Sequence, residues 1–211
     1  MKRTFLAAAL VAAIAAGVAA ASGPSLLVPS SLHAKPPAVF KAKFTTTKGS
    51  FVVTIYRKWA PLGAKRFYNL VLYHFYDNQP LFRVDPGFVV QWGISMKPPI
   101  AKAWKNAHIP DDPVMHKNLR GTMTFANAGK NTRTTQIFVN LASNTFLDNR
   151  TGFSPFGVIT KGFTVFSHLY HGYGEYPANA PNQASMTTYG ASWVHRYFSK
   201  LDWITKARIL R

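Results

Sequence analysis

Two stretches of the chain combine apolar residues of strand type with uncharged amides and one arginine each. The first, residues 81–93, contains Arg83, Phe88 and Gln91, and the second is residues 124–140. A guanidinium that is always charged can donate hydrogen bonds to a lone pair that develops during a reaction. Without further context, such an arginine is more often a surface or paired cation, and such phenylalanines are more often core residues.

The rest of the composition excludes several classes of catalyst. None of the 211 residues is cysteine, which excludes disulfides, thiol nucleophiles, Cys-based zinc sites and iron–sulfur clusters. The seven histidines show no metal-ligand spacing, so we expect no metal. A glycine-rich phosphate loop fails at Pro177 and a serine-hydrolase elbow fails at Phe156, each of which stands where the motif needs glycine. We therefore expect no cofactor.

The charge balance is strongly basic. Lysine and arginine number 25 against 7 acidic residues, a formal charge of +18, and Glu175 is the only glutamate. Such a balance suggests nucleic acid or another anionic surface as a partner. However, the basic residues occur singly or in pairs along the chain and never in runs of five or more. We expect no nucleic-acid partner, and binding to anionic polymers or lipid head groups stays open as an alternative.

The N-terminus has the pattern of a signal peptide. Lys2 and Arg3 precede an apolar run, residues 5–21, and the run ends in three alanines, so cleavage is expected after Ala21. This alanine-rich run is short for a membrane span, and we expect no stable membrane anchor. Residues 1–21 are thus predicted to be a signal peptide, and the chain is predicted to be exported to the periplasm or secreted. The proline-rich residues 22–38 are predicted to be a flexible linker.

The hydrophobic pattern of residues 39–211 predicts one folded domain of mainly β structure. Alternation from Phe40 to Tyr56 predicts a hairpin, and apolar spacings predict helices over residues 62–74 and around residues 194–201. Short strands are expected at residues 80–84, 87–92, 121–126, 136–140, 156–159 and 205–210. Residues 94–119 show little periodicity. Many short strands with two isolated helices favour a closed antiparallel barrel.

The two stretches described first, residues 81–93 and 124–140, resemble the signature blocks of the cyclophilin family of peptidyl-prolyl cis-trans isomerases. Residues 81–93 resemble its F-x-R-V-x-P-G-F-x-x-Q-x-G block, and residues 124–140 resemble its M-A-N-A-G-x-N-x-x-x-S-Q-F-F-I block. Residues 146–148 and 156–159 resemble the W-L-D and F-G-x-V segments that follow. The match runs from about residue 39 to residue 210. It implies a closed eight-stranded antiparallel β-barrel capped by two α-helices.

The resemblance also implies a role for individual residues. Arg83, Phe88 and Gln91 correspond to catalytic positions, with Arg83 as the catalytic arginine and Gln91 positioning it. The substrate-binding positions comprise a proline pocket and a clamp on the extended substrate backbone: Val89, Ala126, Asn127, Ala128, Gln136, Phe138, Phe146, Leu147 and Phe153. Phe146 stands where cyclosporin-sensitive members have Trp, which implies weak binding of that drug.

The activity that the resemblance implies is rotation about Xaa–Pro bonds in exported polypeptides, which would assist their folding. Rotation makes and breaks no covalent bond, so it needs no general base, nucleophile or metal. Proline-containing polypeptides are the expected partners, and the enzyme is expected to be a monomer. The alternative is a cyclophilin-like module or chaperone that binds proline peptides without turnover.

Overall fold

The computed structural model describes residues 23–175 and 179–210. The predicted signal peptide, residues 1–21, therefore lies outside the described residues. Within the described ranges no helix is long and apolar enough to cross a bilayer.

Nine β-strands and three α-helices make up the described chain, together with short 3-10 turns. The strands are β1 (Val39–Thr46), β2 (Gly49–Tyr56), β3 (Gln79–Pro80), β4 (Arg83–Val84), β5 (Val89–Trp92), β6 (Thr122–Phe125), β7 (Ile137–Asn140), β8 (Pro155–Lys161) and β9 (Trp203–Leu210). The helices are α1 (Pro61–Leu72), α2 (Pro98–Trp104) and α3 (Gln183–Tyr197). The predicted hairpin, first helix and closing strand are all present.

The strands form one antiparallel sheet in the order β3-β9-β1-β2-β8-β6-β7-β5-β4. Its two end strands, β3 and β4, are consecutive in the chain and separated only by Leu81 and Phe82. Three residue steps span at most about 11 Å, so the two ends of the sheet must approach each other and the sheet curls. The structure is a nine-stranded curled half-barrel. The expected closed eight-stranded barrel was wrong in strand number, and no ladder between β3 and β4 closes it in the described chain.

Side chains alternate between two environments along the strands that follow α1. Val84, Val90 and Val139 point into the main core, where they join the large aromatic side chains of β1, β2 and α1. Their sequence neighbours point to the outer face of the sheet. A strand period of two therefore places every second residue of β4, β5 and β7 on that outer face.

Helix α1 begins at Pro61 without a capping side chain of its own, because Ala60 precedes it. The buried Asp112 supplies the cap from a distant loop. Its two carboxylate oxygens accept hydrogen bonds from the backbone N–H groups of Leu62 and Gly63, at 2.9 and 2.8 Å. A β-carbon at Gly63 would lie 3.2 Å from the Nη1 atom of Arg133, so the close approach favours glycine.

The other two helices differ from the sequence prediction. Helix α2 lies in the segment without periodicity and starts at a Pro-Pro pair, which suits a first helical turn but gives no apolar repeat over so few residues. Helix α3 begins at Gln183, well before the predicted stretch, and breaks at Gly190, where φ is 67°. The break separates the two halves and explains why the apolar spacing identified only the second one. A cap of two helices was therefore wrong, because the described chain contains three.

The N-terminal segment is packed against the domain. Leu32 is buried in the main core, and the Trp104 indole N–H donates to the carbonyl of Leu26 at 2.8 Å. The Asn69 amide pairs with both backbone groups of Ala34, at 2.8 and 2.9 Å. In residues 23–38 we therefore find an ordered strap where a flexible linker was expected. Composition misled because a few long-range contacts, rather than local propensity, hold this strap.

Candidate functional site

Three of the sequence-predicted residues lie in one row across the outer face of the sheet. Arg83 pairs with Gln91 between β4 and β5, and Gln91 pairs with Phe138 between β5 and β7. Directly paired residues of antiparallel strands project to the same face. The sheet thus brings together a cation, an amide and an aromatic ring from positions 83, 91 and 138.

An apolar cluster, called the slot below, lies beside this row. Val89, Phe138 and Leu147 are buried and form a cluster separate from the main core, and Phe88, Ala126 and Phe153 pack against it partly exposed. The rings of Phe138 and Phe153 are 6.0 Å apart. Phe146 is 53% exposed and stacks on Phe88 with ring centroids 5.7 Å apart. Phe146 therefore lies at the rim of the slot and not inside it.

The guanidinium of Arg83 lies over the rim of the slot, with its central carbon 5.1 Å from the centroid of the Phe88 ring. Its Nη1 atom donates to Oε1 of Gln91 at 3.2 Å. On its other edge, Nε and Nη2 both donate to Oε1 of Glu175, with a distance of 3.0 Å from Nε. The Arg83 side chain is 27% exposed, so a ligand in the slot can reach it.

The Gln91 side chain is the first link of a chain of amides. Its Nε2 donates to Oε1 of Gln136 at 2.8 Å, and Nε2 of Gln136 donates to Oε1 of Gln183 at 2.8 Å. The Gln136 side chain thus holds that of Gln91, and its contact with the substrate backbone stays a prediction. Nothing in the local sequence indicated Gln183 or Glu175, because both come from the loop and helix start near residue 180.

Among the described residues, the loop after β6 leaves the backbone N–H of Asn127 free, between two N–H groups that are engaged. The Ala126 N–H donates to the carbonyl of Gln136 at 3.0 Å, and the Ala128 N–H donates to Oγ1 of Thr132 at 2.8 Å. Within the described chain no hydrogen bond involves the backbone N–H or carbonyl of Asn127, whose side chain is held by Thr151 and Gly129. Of these three residues, Asn127 is therefore the one whose backbone N–H can donate to an extended peptide.

Buried amides support the walls of the slot, and the sequence analysis missed them. Asn144 donates from Nδ2 to the carbonyl of Phe88 and to Oδ1 of Asn140, at 2.9 and 2.8 Å. Asn118 donates from Nδ2 to the carbonyl of Phe153 at 2.9 Å and accepts from Asn140 and Thr124. Of these amides, Asn140 could have been identified from the sequence, because it is a polar residue on the same strand face as Phe138. These hydrogen bonds fix the backbone that carries Phe88 and Phe153.

A polar groove of about 350 Å³ continues from the row toward the loop after β6. Its lining includes Gln91, Lys105, His108, Ala126, Asn127 and Gln136. A larger cavity of about 650 Å³ lies elsewhere, between the N-terminal strap, α2 and α3. It contains none of the predicted site residues. The candidate site is therefore identified by the position of Arg83 over the apolar slot and not by cavity size. Among residues 23–175 and 179–210 no group of three or more His, Asp or Glu is placed to hold a metal ion.

Comparison with known proteins agrees with the resemblance seen in the motifs. Residues 41–188 match the family model described as cyclophilin type peptidyl-prolyl cis-trans isomerase/CLD. The chain is 34% identical over 133 residues to peptidyl-prolyl cis-trans isomerase A of Dickeya dadantii, covering 57% of this chain and 66% of that protein. It is 30% identical over 158 residues to a peptidyl-prolyl cis-trans isomerase of Acinetobacter baylyi, covering 69% and 73%.

Solved structures share the fold. A cyclophilin-type peptidyl-prolyl cis-trans isomerase of Cryptosporidium parvum superimposes with a TM-score of 0.62 at 17% identity, covering 82% of this chain and 98% of that one. The same protein solved in the presence of the dipeptide Ala-Pro gives a TM-score of 0.61 at 18% identity, covering 81% and 99%. At these identities the likeness establishes the fold, and the roles of single site residues stay predictions.

Proposed function

Because the chain belongs to the cyclophilin-type peptidyl-prolyl cis-trans isomerase family, we propose that it catalyses rotation about Xaa–Pro bonds at the slot beside Arg83. The observation that carries the proposal is the guanidinium of Arg83 over Phe88, at the rim of a slot lined by Val89, Phe138 and Leu147. A pyrrolidine ring seated in an apolar slot of this kind brings its nitrogen beside that guanidinium.

The chemistry of the rotation suits an arginine. Turning the amide breaks its resonance against a barrier of about 18–20 kcal/mol, and the prolyl nitrogen regains a lone pair in the twisted state. A guanidinium has five N–H groups. Glu175 accepts two of those of Arg83 and Gln91 accepts one, which leaves one on Nη1 and one on Nη2 for the substrate. Donation to the lone pair stabilises the transition state more than the planar ground state.

One charge-assisted hydrogen bond of this type is worth about 1.5–3 kcal/mol, or roughly ten- to a hundredfold in rate. Other features must supply the remainder. The buried side chains of the slot exclude water from the rotating group. The backbone N–H of Asn127, which has no partner in the described chain, is placed to hold the peptide on one side of the proline, so that the other side can turn.

The test is a protease-free exchange assay by NMR on a prolyl tetrapeptide, with Arg83→Ala compared with the unsubstituted protein. We expect the rate to fall by about ten- to a hundredfold, with an unchanged circular dichroism spectrum. Arg196→Ala is the matched control, because Arg196 is exposed on α3 and contacts Tyr197 rather than the site. Wild-type turnover in Arg83→Ala would refute the assignment, and peptide binding without exchange by the unsubstituted protein would support the non-catalytic alternative.

We also propose that the substrates are exported polypeptides. Support comes from the signal-peptide pattern of residues 1–21, a basic start followed by an apolar run and three alanines. Expression of the full chain in bacteria, followed by fractionation and N-terminal sequencing, tests this. We expect an exported protein that begins at Ser22, and an uncleaved chain retained in the cytoplasm would contradict the proposal.

A further inference from the structure

Glu175, the only glutamate of the chain, accepts two hydrogen bonds from Arg83, from which it is separated by 92 residues of sequence. This contact is not part of the apolar slot, and the hydrogen bonds from Gln91 to Gln136 and Gln183 form without it. We propose that Glu175 is a specificity-determining residue that favours substrates with a lysine or arginine next to the proline. The inference rests on the proposed isomerase function and names the substrate class that this site prefers.

The geometry leaves half of the carboxylate available. Both hydrogen bonds from Arg83 go to Oε1, and Oε2 accepts none from residues 23–175 or 179–210. The Glu175 side chain is 47% exposed, so a substrate can reach it from solvent. A second cation can therefore approach Oε2 while Arg83 stays on Oε1.

The position of Glu175 indicates which part of the substrate it faces. Gln91 and Gln136 extend from one edge of the Arg83 guanidinium toward the backbone of Ala126 and Asn127. Glu175 contacts the opposite edge, through Nε and Nη2. Its carboxylate therefore faces the residue on the side of the proline that points away from the Asn127 backbone.

The groups around the site are mostly basic, so the single carboxylate of Glu175 changes the local charge appreciably. Lys105 and His108 line the groove on the Asn127 side, and Arg150 lies over the Phe146 ring at 5.8 Å. The other acidic residues with described partners are engaged away from Arg83: Asp77 with Arg208, Asp111 and Asp112 with Arg133, Asp148 with Asn118, and Asp202 with Thr47 and Tyr170. The remaining acidic residue, Asp85, is two residues from Arg83 in the sequence, but of the two carboxylates only that of Glu175 contacts the Arg83 guanidinium within the described chain. Without these carboxylates, a site on a chain of formal charge +18 would repel a basic peptide. Glu175 places a negative charge beside Arg83, on the side where a residue flanking the proline would lie.

The test uses matched tetrapeptides that differ only in one residue flanking the proline, which is Lys, Met or Glu. The full-length protein and Glu175→Gln are compared by NMR exchange at low salt, with the varied residue placed first before and then after the proline. For one of the two placements we expect the unsubstituted protein to prefer Lys over Glu by about five- to tenfold in kcat/KM, which corresponds to about 1–1.4 kcal/mol. Glu175→Gln should abolish this preference, and added salt should weaken it in the unsubstituted protein.

Asp85→Asn is the matched control. It removes an equal charge two residues from Arg83, at a side chain with no hydrogen bond or ion pair to the described residues, and it should keep the wild-type ratio of Lys to Glu. Because an exposed ion pair adds little to stability, Glu175→Gln should fold normally. The same ratio in Glu175→Gln and in the unsubstituted protein, for both placements, would overturn the inference even with full isomerase activity.

Failure of the proposed function gives a different result. If the unsubstituted protein turned over none of the peptides, the isomerase assignment would fail. The same peptides would then be titrated by chemical-shift perturbation. A Lys-over-Glu preference in affinity that Glu175→Gln removes would support charge selection by Glu175, and equal affinities would refute it.

Discussion

The Nη1 atom of Arg83 donates a hydrogen bond to Oε1 of Gln91 at 3.2 Å, from directly opposed positions of β4 and β5. Gln91 is in turn held by Gln136. An arginine side chain has several rotatable bonds, and orienting its guanidinium costs conformational entropy. The strand pairing lowers that cost before a substrate arrives, because it holds the acceptor in place.

Replacing Gln91 by leucine removes that acceptor while keeping a side chain of similar size. We expect kcat to fall by about tenfold, because the guanidinium is no longer held in its orientation. KM should change little, because the slot keeps its shape. Exchange kinetics at several substrate concentrations measure both constants. Gln183→Leu, at the far end of the amide chain, should have a much smaller effect. Equal effects of the two substitutions would contradict a positioning role for Gln91.

Asp112 joins the start of α1 to the fully buried Arg133, whose Nη2 atom is 3.0 Å from Oδ2 of Asp112. Asp112→Ala leaves that cation without this partner and removes the helix cap, so the free energy of unfolding should fall by about 3–5 kcal/mol. Urea denaturation measures the change. The double variant Asp112→Ala with Arg133→Met should recover part of the loss, and a single-variant loss below about 1 kcal/mol would show that the pair is dispensable.

Burial raises the pKa of Tyr76 well above its ordinary value of 10.0, although the charge of Arg66 partly offsets this. The hydroxyl donates to the carbonyl of Thr135 at 2.9 Å, so Tyr76→Phe should cost about 1 kcal/mol near neutral pH. Above pH 10.0 the unfolded chain loses the Tyr76 proton before the folded chain does, so this contribution to stability declines as pH rises.

Urea denaturation of the unsubstituted protein and of Tyr76→Phe, from about pH 8 to about pH 11, checks the direction of this pH dependence. The stability difference between the unsubstituted protein and Tyr76→Phe should be constant up to about pH 10 and then narrow. A difference that widens with pH would mean that the folded state stabilises the phenolate, contrary to the burial of Tyr76.

The N-terminal strap offers a pair of leucines for comparison. Leu32 is buried in the main core, whereas Leu27 is 56% exposed. Leu32→Ala should lower the free energy of unfolding by about 2 kcal/mol, and Leu27→Ala should change it by less than about 0.5 kcal/mol. Thermal or urea unfolding of the two variants gives the comparison. Equal, negligible effects would restore the flexible linker that the proline content suggested.

Local pattern and motif were enough to predict most of the strands, the first helix and the family of this protein. Alternation placed the β1–β2 hairpin, the helical spacing placed α1, and the motif around Arg83 and Phe88 identified the family. Such features depend on neighbours a few residues apart, and those neighbours are visible in the sequence.

Tertiary structure decided what depends on residues far apart in the chain. It set the number of strands and the curl of the sheet, packed the proline-rich strap under Trp104, and brought Glu175 onto Arg83. It also placed the Gln136 side chain against that of Gln91. No local periodicity or composition of the sequence indicates these contacts, because each forms only when the sheet brings distant segments together.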